Sequence, residues 1–202
     1  MRDMKSLMTN DHLHDELLII LQNNFAPSGY KLPNADELIP HNQNAQYHGY
    51  AFTLNQKRII YRKAKITPDR PGAFLALWKR PADLSNSKPI PFANEFDYLL
   101  VEVTSEGLTS KNSQVTNIER GLFMFPVNVL LKRGIVSSLN SKGKTAFRVF
   151  PPWSESRALK GTGAFSNSAK VTQRWQCDYF LKQDQYKLID LSKLNKILAN
   201  AV

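Results

Sequence analysis

Apolar residues recur at helical spacing near both ends of the chain. This spacing predicts a first helix over residues 11–24 and a last helix over residues 191–199. Between the first helix and the middle of the chain, residues 25–45 are polar and contain three prolines. That composition predicts a long loop, with a short helical turn at residues 35–38.

The middle of the chain reads as a series of strands. The predicted strands are residues 50–54, 58–65, 73–79, 96–103, 121–125 and 146–150. Asn55 and Gln56 separate the first two and predict a tight hairpin turn. Residues 98–101 are continuously apolar, which indicates burial on both faces of a sheet. Short helices are expected over residues 127–132 and, capped by Ser168, over residues 169–181.

These elements predict one mixed α/β domain, in which a central mixed sheet of five or six strands is flanked by helices. The 202 residues are 42% hydrophobic, which suits a single sizeable core. No linker divides the chain convincingly. We expect residues 1–45 to form a helix and loop that pack on a core of residues 46–202.

Cys177 is the only cysteine, so an intramolecular disulfide and a site of several thiolates are excluded. We expect this thiol to be non-catalytic, and Trp175 on the same helix to be at least half buried. The chain shows neither a signal peptide nor a membrane-spanning apolar run. A cytoplasmic protein with no membrane partner is therefore expected.

Positive charge is concentrated in two blocks. The net charge is +10, and residues 57–80, the first basic segment, carry +7. Residues 108–174, the second basic segment, carry +9, whereas residues 81–107 between them carry −4. Blocked positive charge favours an anionic partner such as DNA or RNA. The competing interpretation is a solvated surface that only aids solubility.

Basic and aromatic residues lie together near the ends of predicted strands. They are Arg62, Lys65, Lys79, Arg80 and Arg148, with Trp78, Trp153 and Trp175 close in sequence. Guanidinium groups form forked hydrogen bonds to phosphate, and aromatic faces stack on bases. We expect the five cations to share one surface. The structural alternative places Trp78 and Trp175 in the core and pairs Arg148 with Asp97 or a glutamate, and Trp153 is the least suited to a core position.

Several short strings occur in a distinctive order. They are Arg62-Lys63-Ala64-Lys65-Ile66-Thr67-Pro68, Gly72-Ala73-Phe74 with Trp78-Lys79-Arg80, Phe96-Asp97, Gly121-Leu122-Phe123-Met124-Phe125-Pro126, Gly143-Lys144 with Phe147-Arg148-Val149 and Pro151-Pro152-Trp153, and Thr172-Gln173-Arg174-Trp175-Gln176 with Tyr179-Phe180. Over residues 46–181 the set resembles the MepB-like family. The resemblance implies a poorly defined activity and a distant relationship to the restriction-endonuclease-like fold. It adds Thr67 and Asp97 to the candidate binding residues.

Nucleases of that fold hold Mg²⁺ with an Asp and a Glu beside a catalytic Lys. Lys65 ends a predicted strand as that lysine would, but position 63, where a carboxylate belongs, is Lys63. Asp97 begins a strand, yet no lysine follows at the required spacing from Glu102. We therefore expect a nucleic-acid-binding domain with no complete catalytic centre, metal site or cofactor, and the catalytic residues remain unassigned.

Two alternatives stay open. One is a metal-dependent nuclease that uses Asp97 with Glu95 or Glu102. The other is a pocket for a small anion, with Arg62, Lys65 and Arg148 as its anchors. His41 and His48 lie seven residues apart and are expected to be solvated rather than metal-bound. The sequence leaves the oligomeric state and any base preference open.

Overall fold

The computed structural model describes residues 3–41, 49–67, 69–80, 88–106, 118–154 and 165–199, with the side chains of the first helix from residue 14 onward. The helices are α1 (Asp3–Asn24), α2 (Val127–Lys132), α3 (Asn167–Cys177) and α4 (Leu191–Ala199), with 3₁₀ turns at Ala26–Ser28 and Ala35–Glu37. The strands are β1 (Ile39–Pro40), β2 (Tyr50–Leu54), β3 (Lys57–Lys63), β4 (Lys65–Ile66), β5 (Ala73–Ala76), β6 (Trp78–Lys79), β7 (Ile90–Pro91), β8 (Tyr98–Thr104), β9 (Arg120–Pro126), β10 (Ala146–Val149) and β11 (Phe180–Gln183). None of the described helices combines the length and the apolar character needed to cross a membrane.

The main sheet has six strands in the order β1-β2-β3-β8-β9-β11. The β3–β8 pair is parallel, and the other four pairs are antiparallel. A parallel pair needs a long crossover connection, and here the connection contains β4, β5, β6 and β7. The mixed α/β class and the mixed sheet of six strands confirm the prediction from sequence.

The turn between β2 and β3 matches its prediction. Asn55 and Gln56 both adopt positive φ, 47° and 66°, as a two-residue type I′ hairpin requires. The turn sets the register, so that Leu54 lies opposite Lys57 and Phe52 opposite Ile59. Register matters because a shift by one residue would exchange the two faces of β3.

Two apolar clusters lie on opposite faces of the sheet. One joins the sheet to α1 and α4 through residues such as Leu17, Tyr61 and Leu194. The other contains Leu75, Phe125 and Leu130, and lies on the face covered by β5, β10 and α2. The residues of β8 alternate between the clusters: Tyr98 and Leu100 enter the first, and Leu99 and Val101 enter the second. Burial of this strand on both faces is thus confirmed.

Two strands that the sequence predicts as continuous are each interrupted in the structure, so the prediction is wrong on this point. Residues 58–65 break at Ala64, and residues 73–79 break at Leu77. The Ala64 N–H still bonds to the Glu102 carbonyl at 2.9 Å, and the next residue, Lys65, turns away to pair with Phe74. Consequently β5 and β10 leave the main sheet and form a three-stranded sheet in the order β10-β5-β4, while β6 pairs with β7.

The helix predicted over residues 169–181 is also too long. α3 ends at Cys177, and Phe180–Gln183 forms β11, which pairs with β9. Tertiary pairing decides this segment, because Phe180 and Leu181 lie opposite Phe123 and Leu122 and are both buried. The helix begins earlier than expected, since Ser166 rather than Ser168 caps it and accepts a hydrogen bond from the Ala169 N–H.

Candidate functional site

Arg62, expected on a binding surface, lies in the interior with 0% of its surface exposed. Its guanidinium donates to the Tyr61 carbonyl at 2.9 Å and bonds to His41 Nδ1 at 2.8 Å. Its Nε has no partner among the described residues. Burial lowers the pKa of Arg62 to about 10, so the group is still charged at neutral pH. Arg62 therefore contributes to no surface.

His41 is the acceptor that makes this arrangement possible. Only a neutral imidazole offers Nδ1 as an acceptor for an arginine donor. Burial, and then the positive charge of Arg62, lower the pKa of His41 to about 4. The ring also stacks on Phe92, with 6.1 Å between the ring centroids. The expectation of a solvated histidine is therefore wrong for His41, and His48 lies outside the described residues.

Most other cations of the first basic segment are held by carboxylates. Lys63 lies between Glu16 and Glu102, with N–O distances of 3.2 and 3.5 Å. The remaining ion pairs are Arg58–Asp97, Arg70–Asp69 and Lys79–Glu95. Lys79 thus neutralises a glutamate beside it. Five of the eight cations of this segment are thus buried or paired with carboxylates of the described residues.

Asp97, the candidate for a metal ligand, is committed to Arg58. It accepts from the Arg58 backbone N–H at 2.7 Å and from its guanidinium at 3.0 Å. These hydrogen bonds from Arg58 hold the pKa of the Asp97 carboxyl below its usual value. Glu95 and Glu102 pair with different lysines. Within the described parts of the chain, no three His, Cys, Asp or Glu side chains come together.

Lys65 and Arg148 do share a surface. They lie opposite Phe74 from either side in the three-stranded sheet, so the three side chains form one row on one face. Lys65 is exposed, whereas the Arg148 side chain is only 18% exposed. Arg148 donates to the Thr67 hydroxyl and to the carbonyls of Pro71 and Gly72, both at 3.2 Å. Its guanidinium also lies 4.0 Å from the Asp69 carboxylate, so Arg148 pairs with Asp69 and not with Asp97 or a glutamate. Arg148 therefore mainly holds Thr67 and residues 69–72 in place.

The candidate tryptophans differ in environment. The Arg80 guanidinium lies 4.6 Å from the ring centre of Trp78, at the end of β6. Trp153 packs edge-on against Phe180 at 5.4 Å and joins the second apolar cluster. The expectation that Trp153 suits the core least is therefore wrong, because the unpredicted strand β11 supplies its partner. Trp175 is more than half buried, as predicted.

A basic cleft of about 620 Å³ lies between β10 and α3. Its lining residues are Arg133, Ile135, Lys144, Ala146, Phe147, Arg148, Phe150, Ser166, Ser168, Ala169, Val171, Thr172, Trp175 and Gln176. Three of these side chains are cationic, three are aromatic, and none is acidic. Of the sequence-predicted site residues, the cleft contains only Arg148.

Two glutamines hold α3 against the segment that follows β10. The buried Gln176 accepts from the Phe150 N–H at 2.7 Å and donates to the Arg148 carbonyl at 3.0 Å. Gln173 donates to the Pro151 carbonyl at 2.8 Å. An amide that both donates and accepts can satisfy the open edge of a strand much as another strand would. These contacts fix the width of the cleft.

Arg133 and Lys144 form the opposite wall, in the connection between α2 and β10. The Lys144 N–H donates to the Ile135 carbonyl at 2.9 Å. This hydrogen bond brings Lys144 close to Arg133, which lies two residues before Ile135. Both cationic side chains are exposed. The Arg133 guanidinium lies 4.9 Å from the ring centre of Trp175 across the cleft. Neither forms an ion pair with a carboxylate of the described residues.

Sequence reasoning placed Arg133 and Lys144 in the second basic segment but did not select them. Trp175 was one of the three candidate aromatics, with a core position as the alternative, and it both packs on the core and lines the cleft. The only signal in the sequence was the excess of positive charge in residues 108–174. Which of those cations converge depends on how α3 packs on β10, and single positions do not reveal this.

Comparison with known proteins identifies the family. A sequence model of the MepB-like family matches residues 41–182, most of the chain. The chain belongs to the MepB-like family. The crystal structure of MepB is similar, with 29% sequence identity and a TM-score of 0.57, over 73% of this chain and 86% of that one. No curated protein matches. The MepB-like region includes both basic segments up to the end of α3.

Proposed function

We propose that this MepB-like chain binds nucleic acid through the basic cleft between β10 and α3. The observation that carries the proposal is the composition of the cleft. Arg133, Lys144 and Arg148 line a cavity of about 620 Å³ that has aromatic walls and, among the residues that the structure describes, no acidic lining residue. Positive charge beside aromatic surface is the combination that single-stranded and non-specific nucleic-acid binders use.

Four further cations of the second basic segment lie within two residues of a lining residue in sequence. They are Lys132, Lys142, Lys170 and Arg174, all exposed. A polyanion gains affinity from each phosphate that is neutralised, because condensed counterions are released. Flexible lysines and arginines that contact phosphate carry no base information, so we expect little sequence preference. Affinity should fall in the non-specific range, roughly 10⁻⁴ to 10⁻⁶ M at physiological salt.

The proposal includes binding without cleavage. A two-metal or one-metal nuclease needs carboxylates that converge on the scissile phosphate. The carboxylates proposed for that role, Asp97, Glu95 and Glu102, each bond to a basic side chain. Mg²⁺ or Mn²⁺ should therefore leave bound DNA and RNA intact in a gel assay. Cutting that needs the divalent ion and disappears in Asp97→Ala would replace this part of the proposal with the nuclease.

We also propose a distant relationship between this chain and the restriction-endonuclease-like fold. Its support is the mixed sheet with helices packed on it. Fold alone would not decide the activity, because one fold can support many functions. The proposal therefore depends on the cleft and not on the relationship.

The test compares two double variants of equal charge. Arg133→Glu with Lys144→Glu reverses the wall of the cleft. Lys31→Glu with Lys57→Glu makes the same change of net charge at exposed positions that do not line the cleft. We expect the cleft variant to lose at least tenfold in affinity for a fluorescent oligonucleotide, because several phosphate contacts become repulsive. The control should lose less than threefold.

Two results would contradict the proposal. Equal losses in the two double variants would mean that net charge, and not the cleft, drives binding. If the unmodified protein binds neither DNA nor RNA at low salt, nucleic acid is not its ligand. In that case, titration with inorganic phosphate and pyrophosphate would test the small-anion pocket, with the cleft variant again as the comparison.

A further inference from the structure

The basic cleft is larger and more aromatic than phosphate contacts require. A volume of about 620 Å³ falls within the roughly 300–1,000 Å³ typical of pockets for whole small molecules. Phosphate groups on a duplex need only an exposed basic surface. Phe147, Phe150 and Trp175 line the cavity instead, and side chains of this kind face planar, apolar groups.

Trp175 is held in position to receive such a group. Phe125 packs against it from the core, with 5.7 Å between the ring centroids. On the cleft side, the exposed Arg133 guanidinium lies 4.9 Å from the ring centre. The indole is thus supported from the core, and an exposed, charged side chain occupies its cleft side.

From this geometry we infer that the cleft takes one unpaired nucleotide, whose base stacks on Trp175 in place of Arg133. The inference rests on the proposed function and names the form of nucleic acid that it selects. A base stacked on an aromatic side chain contributes roughly 5- to 150-fold in affinity. An exposed cation–π contact contributes roughly two- to fivefold. Replacement of the Arg133 guanidinium by a base on the Trp175 ring should therefore increase affinity.

Displacement of Arg133 also frees its charge for the backbone of the same strand. Arg133 and Lys144 lie on one wall, and Arg148 lies on β10 at the base of the cleft. A nucleotide with its base on Trp175 would bring its phosphate towards this wall. Arg133 thus has two roles: it covers the ring in the free protein and binds phosphate in the complex.

A duplex is disfavoured by the same geometry. Its bases are already paired and stacked, and one base would have to leave the helix, which opposes binding by an amount comparable to the stacking gain. The cleft should therefore prefer single strands. Stacking uses the π-face that every base has, so the preference should depend on strandedness and weakly on base identity.

Fluorescence of Trp175 provides the test. Trp78→Phe with Trp153→Phe leaves Trp175 as the one tryptophan of the chain. A short oligothymidylate should quench its emission and bind at least tenfold more tightly than a blunt duplex with the same number of phosphates. An abasic strand of equal length has the phosphates without the bases, so it should bind like the duplex and cause little quenching.

Substitution of Trp175 completes the design. Trp175→Phe keeps an aromatic face and should retain most of the preference for single strands, whereas Trp175→Leu should abolish it and keep duplex binding. Equal affinity for the three ligands with no quenching would overturn this inference and leave the proposed function intact. Failure of all three to bind at low salt would overturn both. Because the quenching arm uses the native Trp175, an unstable leucine variant does not prevent a decision.

Discussion

The two basic segments have similar charge in the sequence and different fates in the structure. In the first, residues 57–80, Arg62 is buried and Lys63 lies between Glu16 and Glu102. In the second, residues 108–174, Arg133 and Lys144 form no ion pair with a carboxylate of the described residues, although Arg148 lies 4.0 Å from Asp69. In the first segment most cations are buried or paired with carboxylates, whereas Arg133 and Lys144 of the second segment are exposed at the cleft.

The difference comes from what pairs with each segment. The acidic stretch between the two segments contains the strand β8 (Tyr98–Thr104), which lies parallel to β3 and places Glu102 opposite Lys63. Glu95 and Asp97, at the start of the same strand, reach Lys79 and Arg58. No acidic strand runs beside β10, where neutral glutamines of α3 provide the contacts instead. Surface charge therefore follows from strand pairing and not from the excess of charge in a segment.

The largest loss of stability should follow from removal of the Gln176 side chain, whose neutral amide holds α3 against β10. Gln176→Leu would leave the Phe150 N–H and the Arg148 carbonyl without partners in the interior. Leaving both groups unsatisfied costs about 3 kcal/mol in the free energy of unfolding. Thermal denaturation should show Tm lower by roughly 6–12 °C for a chain of this size.

Gln173→Leu is the matched control, one turn earlier on α3. It removes the partly buried bond to the Pro151 carbonyl at 2.8 Å and a longer one to the Ser154 carbonyl at 3.4 Å, and should cost about 1 kcal/mol. If the two substitutions lower Tm equally, α3 is not fixed mainly through Gln176. If neither does, the contrast between neutral and ionic contacts in the two segments fails.

The next effect concerns the interior of the first segment. The folded pKa of His41, about 4, is below the ordinary value of 6.5. The neutral ring thus contributes stability that is present above pH 6.5 and lost as the pH falls through 4. The loss should be about 2 kcal/mol, less than the full shift implies because the ring is partly exposed.

The measurement is urea denaturation from pH 7.5 to pH 4 for the unmodified chain and for His41→Gln. Glutamine still offers an oxygen acceptor to Arg62 but does not titrate, so the variant should lose less stability over this range. The control isolates His41 from the carboxyl groups, whose titration is common to both proteins. If the free energies of unfolding of the two proteins fall in parallel as the pH is lowered, protonation of His41 does not destabilise the fold.

A smaller change should follow from removal of the buried charge itself. Arg62→Met keeps a long side chain but removes a cation that burial disfavours, as its lowered pKa shows. We expect stability to stay the same or rise by about 1 kcal/mol. Nucleic-acid affinity should be unchanged. A tenfold loss of affinity in a folded Arg62→Met protein would show that the first basic segment contributes to nucleic-acid binding.

Arg58→Met is the exposed comparison for that experiment. It removes a surface ion pair with Asp97 and should lower the free energy of unfolding slightly, because solvent screens exposed ion pairs. Opposite signs for the two arginines would confirm that burial, and not charge alone, distinguishes them. Chemical denaturation at neutral pH measures both.

Local patterns were sufficient for much of the fold. Helical spacing predicted α1 and α4, the Asn55–Gln56 pair predicted the hairpin, and an apolar run predicted the buried strand β8. They failed where long-range pairing decides. Phe180 and Leu181 suit a helix or a strand equally well, and only β9 makes them a strand.

The candidate site was less predictable for the same reason. Sequence could count the cations of each segment, but not which of them would meet carboxylates. Lys63 looked like a departure from a nuclease pattern, and its position opposite Glu102 explains it as an ion-pair partner. Arg133 and Trp175 come together across the cleft although they are far apart in the chain. The charge excess indicated the region but not the residues.

The smallest effect should appear in the salt dependence of binding by two lysine variants. Lys144→Ala removes an exposed cation from the cleft, and Lys79→Ala removes one that Glu95 neutralises. Each lowers the net charge equally. The slope of log K against log salt concentration counts the phosphates that the protein neutralises, at about 0.9 per contact on duplex DNA and about 0.7 on a single strand. Lys144→Ala should therefore reduce its magnitude by nearly one, and Lys79→Ala should leave it unchanged. Equal reductions would mean that phosphates reach the first segment as well, and the distinction between the two segments would no longer hold.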